Sequence, residues 1–300
     1  MHFESPPPRF VTGLRELAAN YDVVLCDVWG VVHNGIIQYE KATDALRRFR
    51  EKGGSVILIT NAPRARARVQ SFLDNLHVPR DAYDGIVTSG DVTISLIRER
   101  AGQPLAYIGP PEDMSLFDEA QSALSDPLRF VDVDAATYAV CIGLEHAERE
   151  TPEDYDARLQ TLRARNAEFV CANPDIVVEM GDKLVYCAGA LAERYEALGG
   201  RVVQAGKPHA EIYRRAIALA AEVRGCSIDP ARVLAIGDSA HTDIKGGEAQ
   251  GFDTLFITSG IHRAELHAET GAGPLDAAAL HQFLDHLDFA PTGTATELLW

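Results

Sequence analysis

The chain has 300 residues, 46% of them hydrophobic and 24% charged, which suits one large or two modest folded domains and sets disorder aside. Lys and Arg number 28 against 44 Asp and Glu, a formal net charge of −16. Such a surface repels phosphate backbones, so nucleic acid is not an expected partner, whereas a small anion remains compatible with a cleft that holds a metal ion and a lysine. The apolar runs are far shorter than the roughly 20 residues of a membrane helix, and the opening MHFESPPPRF has no basic start followed by an apolar stretch. The expectation is therefore a cytoplasmic protein without a secretory signal or a membrane partner.

In chain order, Pro6 to Pro8 reads as a stiff lead-in. Asp22 to Cys26 (DVVLC) reads as a strand that ends at Asp27, and a helix follows from about Lys41 to Glu51, closed by Gly53-Gly54. Ser55 to Ile59 is the next strand, ending at Thr60-Asn61, with a helix from about Arg64 to Leu76. Gly85 to Thr88 and a helix from Asp91 to about Arg100 complete this rhythm. Strands separated by helices of about ten residues indicate βαβ units and a parallel sheet.

The middle of the chain has its own strands near Leu105 to Ile108, Tyr138 to Ile142 and Glu168 to Cys171, with helices near Pro111 to Leu124 and Pro152 to Asn166. The first rhythm then returns: strand Arg201 to Gln204, helix His209 to Val223, strand Arg232 to Ile236, short helix Thr242 to Ala249 and strand Asp253 to Ile257. The expected architecture is α/β: a Rossmann-like, doubly wound parallel sheet in residues 1–100 and 201–300, with a second α/β domain inserted at 101–200. The tail FAPTGTATELLW is either docked or loose. Cys26, Cys141, Cys171, Cys187 and Cys226 are odd in number, have no CxxC spacing and lie mostly in or beside apolar runs. They read as buried, reduced thiols rather than as a zinc site.

Four segments place polar residues where apolar strands end or the adjoining turns begin, the edge at which open parallel sheets bind ligands. Asp27 ends one buried strand, where a carboxylate is costly unless paired or bound to metal; alone it also reads as a strand-end cap. Thr60 and Asn61 end another, and alone read equally as caps of the next helix. Lys207 precedes Pro208 in QAGKPHAEIY and alone reads as a solvated charge. In VLAIGDSAHTDIKGG, Asp238 follows a strand and Asp243 opens the next helix, a pair of hard oxygen ligands suited to Mg²⁺. Together, two acidic strand ends, one lysine and two neutral polar residues make a kit for phosphoryl transfer through an aspartyl-phosphate intermediate.

In this order the segments resemble the haloacid dehalogenase superfamily, with motif one at Asp27, motif two at Thr60, motif three at Lys207 and motif four at Asp238 to Asp243. The strings TNAPR, CANPD, YCAGAL, GKPHAEIY and GDSAHTDIKGG resemble its class IIA branch, in which an inserted C2-type cap domain accompanies phosphatases of N-acetylglucosamine phosphate, nitrophenyl phosphate and pyridoxal phosphate. The resemblance implies a Mg²⁺-dependent phosphatase of small phosphorylated metabolites. Asp27 would be nucleophile and metal ligand, joined by Asp238, Asp243 and the main-chain carbonyl of Trp29. Thr60 and the Asn61 main chain would hold phosphoryl oxygens, and Lys207 would balance charge on Asp27 and the phosphoryl group. In the cap, the loop from about Asp175 to Lys183 would face the site, with Asn173 and Asp175 as substrate contacts; an Asx-type turn is the alternative for each. Gly189 would allow close chain packing. Capped relatives often dimerise, so a homodimer through the cap is an expected assembly.

One departure changes the chemistry. Where the family's phosphatases carry a second aspartate, two residues after the nucleophile, this chain has Trp29. That aspartate protonates the leaving oxygen and then activates water; an indole N–H does neither. His33, His209 and His241 lie near motif residues but read as surface or capping histidines. A phosphate-binding or regulatory protein with little turnover is the alternative that Trp29 favours. Dehalogenation is a further alternative, disfavoured by the acidic fourth motif.

Overall fold

The computed structural model describes residues 9–111, 113–180, 183–269 and 271–300; the Pro6 to Pro8 lead-in lies outside them. The chain folds as two compact units, one of residues up to 59, 72–87 and 213–300, the other of residues 60–71 and 88–212. The fold is α/β, with a parallel sheet and flanking helices in each unit, the fold class expected from the sequence.

The seven-stranded sheet runs in the order Arg9–Phe10, Gly293–Ala295, Asp253–Ile257, Val233–Gly237, Val23–Asp27, Ser55–Thr60, Gly85–Thr88. The pairs from Arg9–Phe10 through Ser55–Thr60 are parallel. Val23–Asp27, Ser55–Thr60 and Val233–Gly237 are buried at every residue. This is why each reads as an unbroken apolar run: a central parallel strand is covered on both faces and has no solvent side to mark with alternation. Helix Glu40–Glu51 instead shows a stripe, burying Ala42, Ala45, Leu46 and Phe49 while its charges stay outside.

The second sheet has the order Arg201–Gln204, Glu168–Cys171, Tyr138–Cys141, Pro104–Ile108, Arg129–Phe130, parallel throughout. Its side chains alternate between two cores, as the two-residue period of a strand requires. Leu105, Tyr138, Val140 and Val170 join Ile94 and Ile97 of helix Ser89–Glu99 and Leu116 and Phe117 of helix Ser115–Gln121. Ala106, Ala139, Cys141, Phe169 and Cys171 join Leu159 and Leu162 of helix Asp156–Ala164 and Leu191 and Tyr195 of helix Ala188–Ala197. An antiparallel hairpin, Val177–Met180 with Lys183–Tyr186, accompanies this sheet.

Two boundaries differ from the expected 101–200 insertion. Helix Ser89–Glu99 belongs to the second sheet because its apolar face buries against it, and Arg201–Gln204 pairs with Glu168–Cys171 instead of returning to the first sheet. The expected helix from Thr242 starts earlier, as a π-helical turn at Ala240–Ile244 that continues into Lys245–Ala249. The tail is docked: Val11 N–H donates to Thr294 O (2.8 Å), Leu14 N–H donates to Leu299 O (2.7 Å), and Lys52 Nζ lies 5.9 Å above the Trp300 ring. No helix among the described residues is long and apolar enough to cross a membrane.

All five cysteines are free; Cys26, Cys141, Cys171 and Cys187 are buried and Cys226 is exposed. Burial pushes the Cys141 thiol up to about 12 and raises Cys171 and Cys187 as well. These thiols stay protonated, and a thiol without its thiolate form is a poor nucleophile. An aromatic disulfide reagent such as DTNB at neutral pH is therefore expected to modify one cysteine in the native protein and five after denaturation. Rapid release of several equivalents by the native chain would contradict this packing.

Candidate active site

The register of the central strands builds the first cluster. Cys26 pairs with Ile236, so Asp27 and Gly237 end adjacent strands and Asp238 follows at the same edge. The next turn returns Asp243 to that edge: Ser239 N–H donates to Asp243 Oδ2 (3.1 Å) and Asp243 N–H to Ser239 O (3.0 Å). The buried phenol of Tyr213 donates to Thr242 O (3.2 Å), holding the turn from its other side. As a result Asp27, Asp238 and Asp243, all buried, each place a carboxylate oxygen within 4.8 Å of the others.

The surrounding backbone is fitted to these groups. Gly30 has φ +81, and a Cβ there would stand 2.0 Å from Asp238 Oδ2; a Cβ at Gly260 would meet the same oxygen at 2.0 Å. Ile261 N–H donates to Asp238 Oδ2 (2.8 Å). Ionised carboxylates at this spacing repel one another unless positive charge lies close by. A donor set made only of carboxylate oxygen fits a small hard dication such as Mg²⁺, which removes that repulsion.

The second cluster belongs to the other unit and centres on Asn61. Its Oδ1 accepts Lys207 N–H (2.7 Å), and its Nδ2 donates to Lys207 O (3.1 Å) and to Asp175 Oδ1 (2.9 Å). A Cβ on Gly206 would fall 2.3 Å from Asn61 Oδ1, so the chain entering Lys207 is clamped to that amide. Lys207 is 2% exposed, which removes the reading of it as a solvated surface charge. Thr60 Oγ1 accepts Ala62 N–H (3.1 Å), a turn-forming bond that does not use the hydroxyl proton. Asn173 Oδ1 accepts Asp175 N–H (3.1 Å), the Asx-type turn. Gly189 has the expected close packing: its Cβ would stand 2.3 Å from Pro174 O. Of the expected loop from Asp175 to Lys183, residues 181 and 182 lie outside the described residues.

Trp29 is half-buried, with its ring 5.1 Å from that of His33 in an edge-to-face contact, and His33 in turn meets Phe72 at 5.4 Å. His33 is not a surface histidine. It is 2% exposed, its Nδ1 accepts Gly35 N–H (2.9 Å), and burial lowers its pKa to about 4. It is therefore neutral near pH 7 and carries no spare proton for a leaving group. His209 and His241 are exposed.

The segment Gly260–His262 is absent from the four motifs, yet it touches Asp238. The sequence does carry a signal for it: DTLFI is another apolar strand, and the Thr-Ser-Gly after it is another polar strand end beside that of Asp238. Burial lowers the pKa of His262, so its ring is neutral near neutral pH.

A doubly wound parallel sheet with an inserted α/β domain, and acidic residues gathered at adjacent strand ends, defines a haloacid dehalogenase-type hydrolase. Residues 24–122 match the family model of haloacid dehalogenase-like hydrolases, and residues 204–287 match a HAD-hydrolase-like model. A solved hydrolase of the haloacid dehalogenase-like family from Brucella suis 1330 is 42% identical, covers 97% of this chain and 100% of its own, and superposes with a TM-score of 0.83. The 5'-nucleotidase YutF of Bacillus subtilis is 24% identical across 82% of this chain and 90% of its own. An acid sugar phosphatase of Staphylococcus aureus is 26% identical across 82% and 89%. The chain belongs to the haloacid dehalogenase family.

Proposed function

We propose that the protein is a Mg²⁺-dependent phosphatase of small phosphorylated metabolites, with Asp27 as nucleophile. The observation that carries this reading is the cluster of Asp27, Asp238 and Asp243, three buried carboxylates with oxygens within 4.8 Å. The curated relatives, named as a nucleotidase and a sugar phosphatase, support the phosphomonoester class. Asp27, Asp238, Asp243 and the Trp29 main-chain carbonyl would hold the cation. When bound, it supplies positive charge for the phosphoryl oxygens and for the carboxylates themselves.

In the reaction, an Asp27 carboxylate oxygen bonds to phosphorus as the ester P–O bond breaks, and the leaving oxygen takes up a proton from water. Water then attacks the same phosphorus. The bond between Asp27 and phosphorus breaks, releasing inorganic phosphate and the free carboxylate. By the family resemblance, Thr60 and the Asn61 main chain take phosphoryl oxygens and Lys207 balances their charge, while Asn173 and Asp175 are cap contacts to substrate. The Asn61 side chain is committed to Lys207 and Asp175, so its role is to hold Lys207 in place. The five free thiols support a reducing, cytoplasmic setting.

Chelation tests the cation directly. EDTA is expected to abolish phosphate release from p-nitrophenyl phosphate and to lower the melting temperature, and added Mg²⁺ to restore both. A ligand that binds only the folded state stabilises it by about 2.7 kcal/mol at 100 times its Kd. Release that continues undiminished in EDTA would refute this use of the carboxylates. A second reading, phosphate binding with little turnover, is favoured by Trp29 alone. It predicts Mg²⁺-dependent stabilisation by phosphate with no release from any phosphomonoester.

A further inference from the structure

The first N–H groups of a helical turn have no partner inside it. In the turn that carries Asp243, the Ser239 N–H is taken by Asp243 itself. The next N–H, of Ala240, comes from a residue 1% exposed and is directed at His262 Nε2, 3.3 Å away. A backbone N–H only donates, so Nε2 is the acceptor and the neutral ring carries its proton on Nδ1, which lies 3.0 Å from Glu265 Oε2. Phe283 and Phe256 flank the ring at 4.7 and 5.9 Å between centroids. The two residues before His262 hold the other carboxylate: Ile261 donates to Asp238 Oδ2, and Gly260 is packed against that oxygen. Ser259 N–H is anchored in turn to Thr296 O (3.1 Å). One anchored segment therefore fixes both Asp238 and the start of the turn that aims Asp243.

We infer that His262, oriented by Glu265, is a positioning residue that sets the spacing of Asp238 and Asp243 for the cation. The inference rests on the cation reading of the proposed function. Without the acceptor, a buried donor is left unpaired, and the turn must shift to satisfy it. Asp243 shifts with the turn, because Asp243 N–H and Oδ2 are both tied to Ser239. Losing a hydrogen bond that orients metal-binding residues typically weakens metal binding about 10–100-fold.

The test is calorimetric titration of Mg²⁺ into the full chain. His262→Phe keeps the aromatic packing and removes the acceptor; His262→Gln restores an acceptor of similar reach. His262→Phe is expected to bind Mg²⁺ about 10–100-fold more weakly, with KM for substrate at saturating Mg²⁺ little changed. His262→Gln is expected to recover most of the affinity. Glu265→Ala, at a side chain 63% exposed, is expected to weaken binding in the same direction at an unchanged melting temperature, and it decides the matter if His262→Phe does not fold. Asp243→Asn is the reference for a damaged site. If Asp243→Asn loses Mg²⁺ while His262→Phe and Glu265→Ala bind like the unaltered protein, the positioning role is refuted and the cation reading stands. If the unaltered protein binds no Mg²⁺, the cation reading fails and the inference fails with it.

Discussion

Asp27→Asn is expected to lower phosphate release from p-nitrophenyl phosphate by at least about 10⁴-fold, on the order of 5 kcal/mol of barrier. The amide matches the carboxylate in shape, but its neutral oxygen is a poor nucleophile. The same substitution removes one of three buried charges whose oxygens lie within 4.8 Å. The variant is expected to bind Mg²⁺ less well, so added Mg²⁺ should raise its melting temperature less than that of the unaltered protein. Loss of rate together with a smaller Mg²⁺-dependent stabilisation identifies Asp27 as part of the functional centre, and equal rates would remove it from the chemistry.

Trp29→Asp is expected to raise turnover of alkyl phosphates by about 10²-fold or more, within the range that general acid catalysis supplies. Turnover of p-nitrophenyl phosphate should change far less, because nitrophenolate leaves without being protonated. The diagnostic quantity is therefore the ratio of the two rates. The variant loses the edge-to-face contact of Trp29 with His33, worth about 0.5–1.5 kcal/mol beyond burial, so its melting temperature should fall. If alkyl phosphate turnover does not rise in a folded variant, the missing proton donor is not what limits the unaltered protein. His33 does not fill that role in the unaltered protein, since burial holds it neutral near pH 7.

The strand ends were legible because central parallel strands are buried on both faces. VVLCD, SVILIT and VLAIG stand out as apolar runs, and the polar residue that closes or directly follows each is conspicuous. What the runs do not carry is pairing. Arg201–Gln204 has the composition of a strand in either sheet, and only its register with Glu168–Cys171 decides between them. Gly293–Ala295 has little strand propensity of its own and is made a strand by Arg9–Phe10 and Asp253–Ile257. The burial of Lys207 was hidden for the same reason: the amide that clamps its backbone belongs to Asn61, 146 residues away. His262 looks like one more histidine until the neighbouring strand brings Ala240 to it.

The interleaved strand order also sets a timetable for synthesis. Residues 88–212 form a continuous stretch that can pack while the rest of the chain is still being made, since domains generally fold as units as they emerge. The strand ending at Asp27 is made well before its neighbour Val233–Gly237, which appears some two hundred residues later, and strand Gly293–Ala295 follows later still. Until then Val23–Asp27 presents an unpaired apolar edge on the nascent chain. This is the period in which the protein most needs shielding from aggregation. The carboxylate cluster can assemble only when residue 243 has been added, so a ribosome-bound chain stopped before that point would carry the packed stretch 88–212 without that cluster.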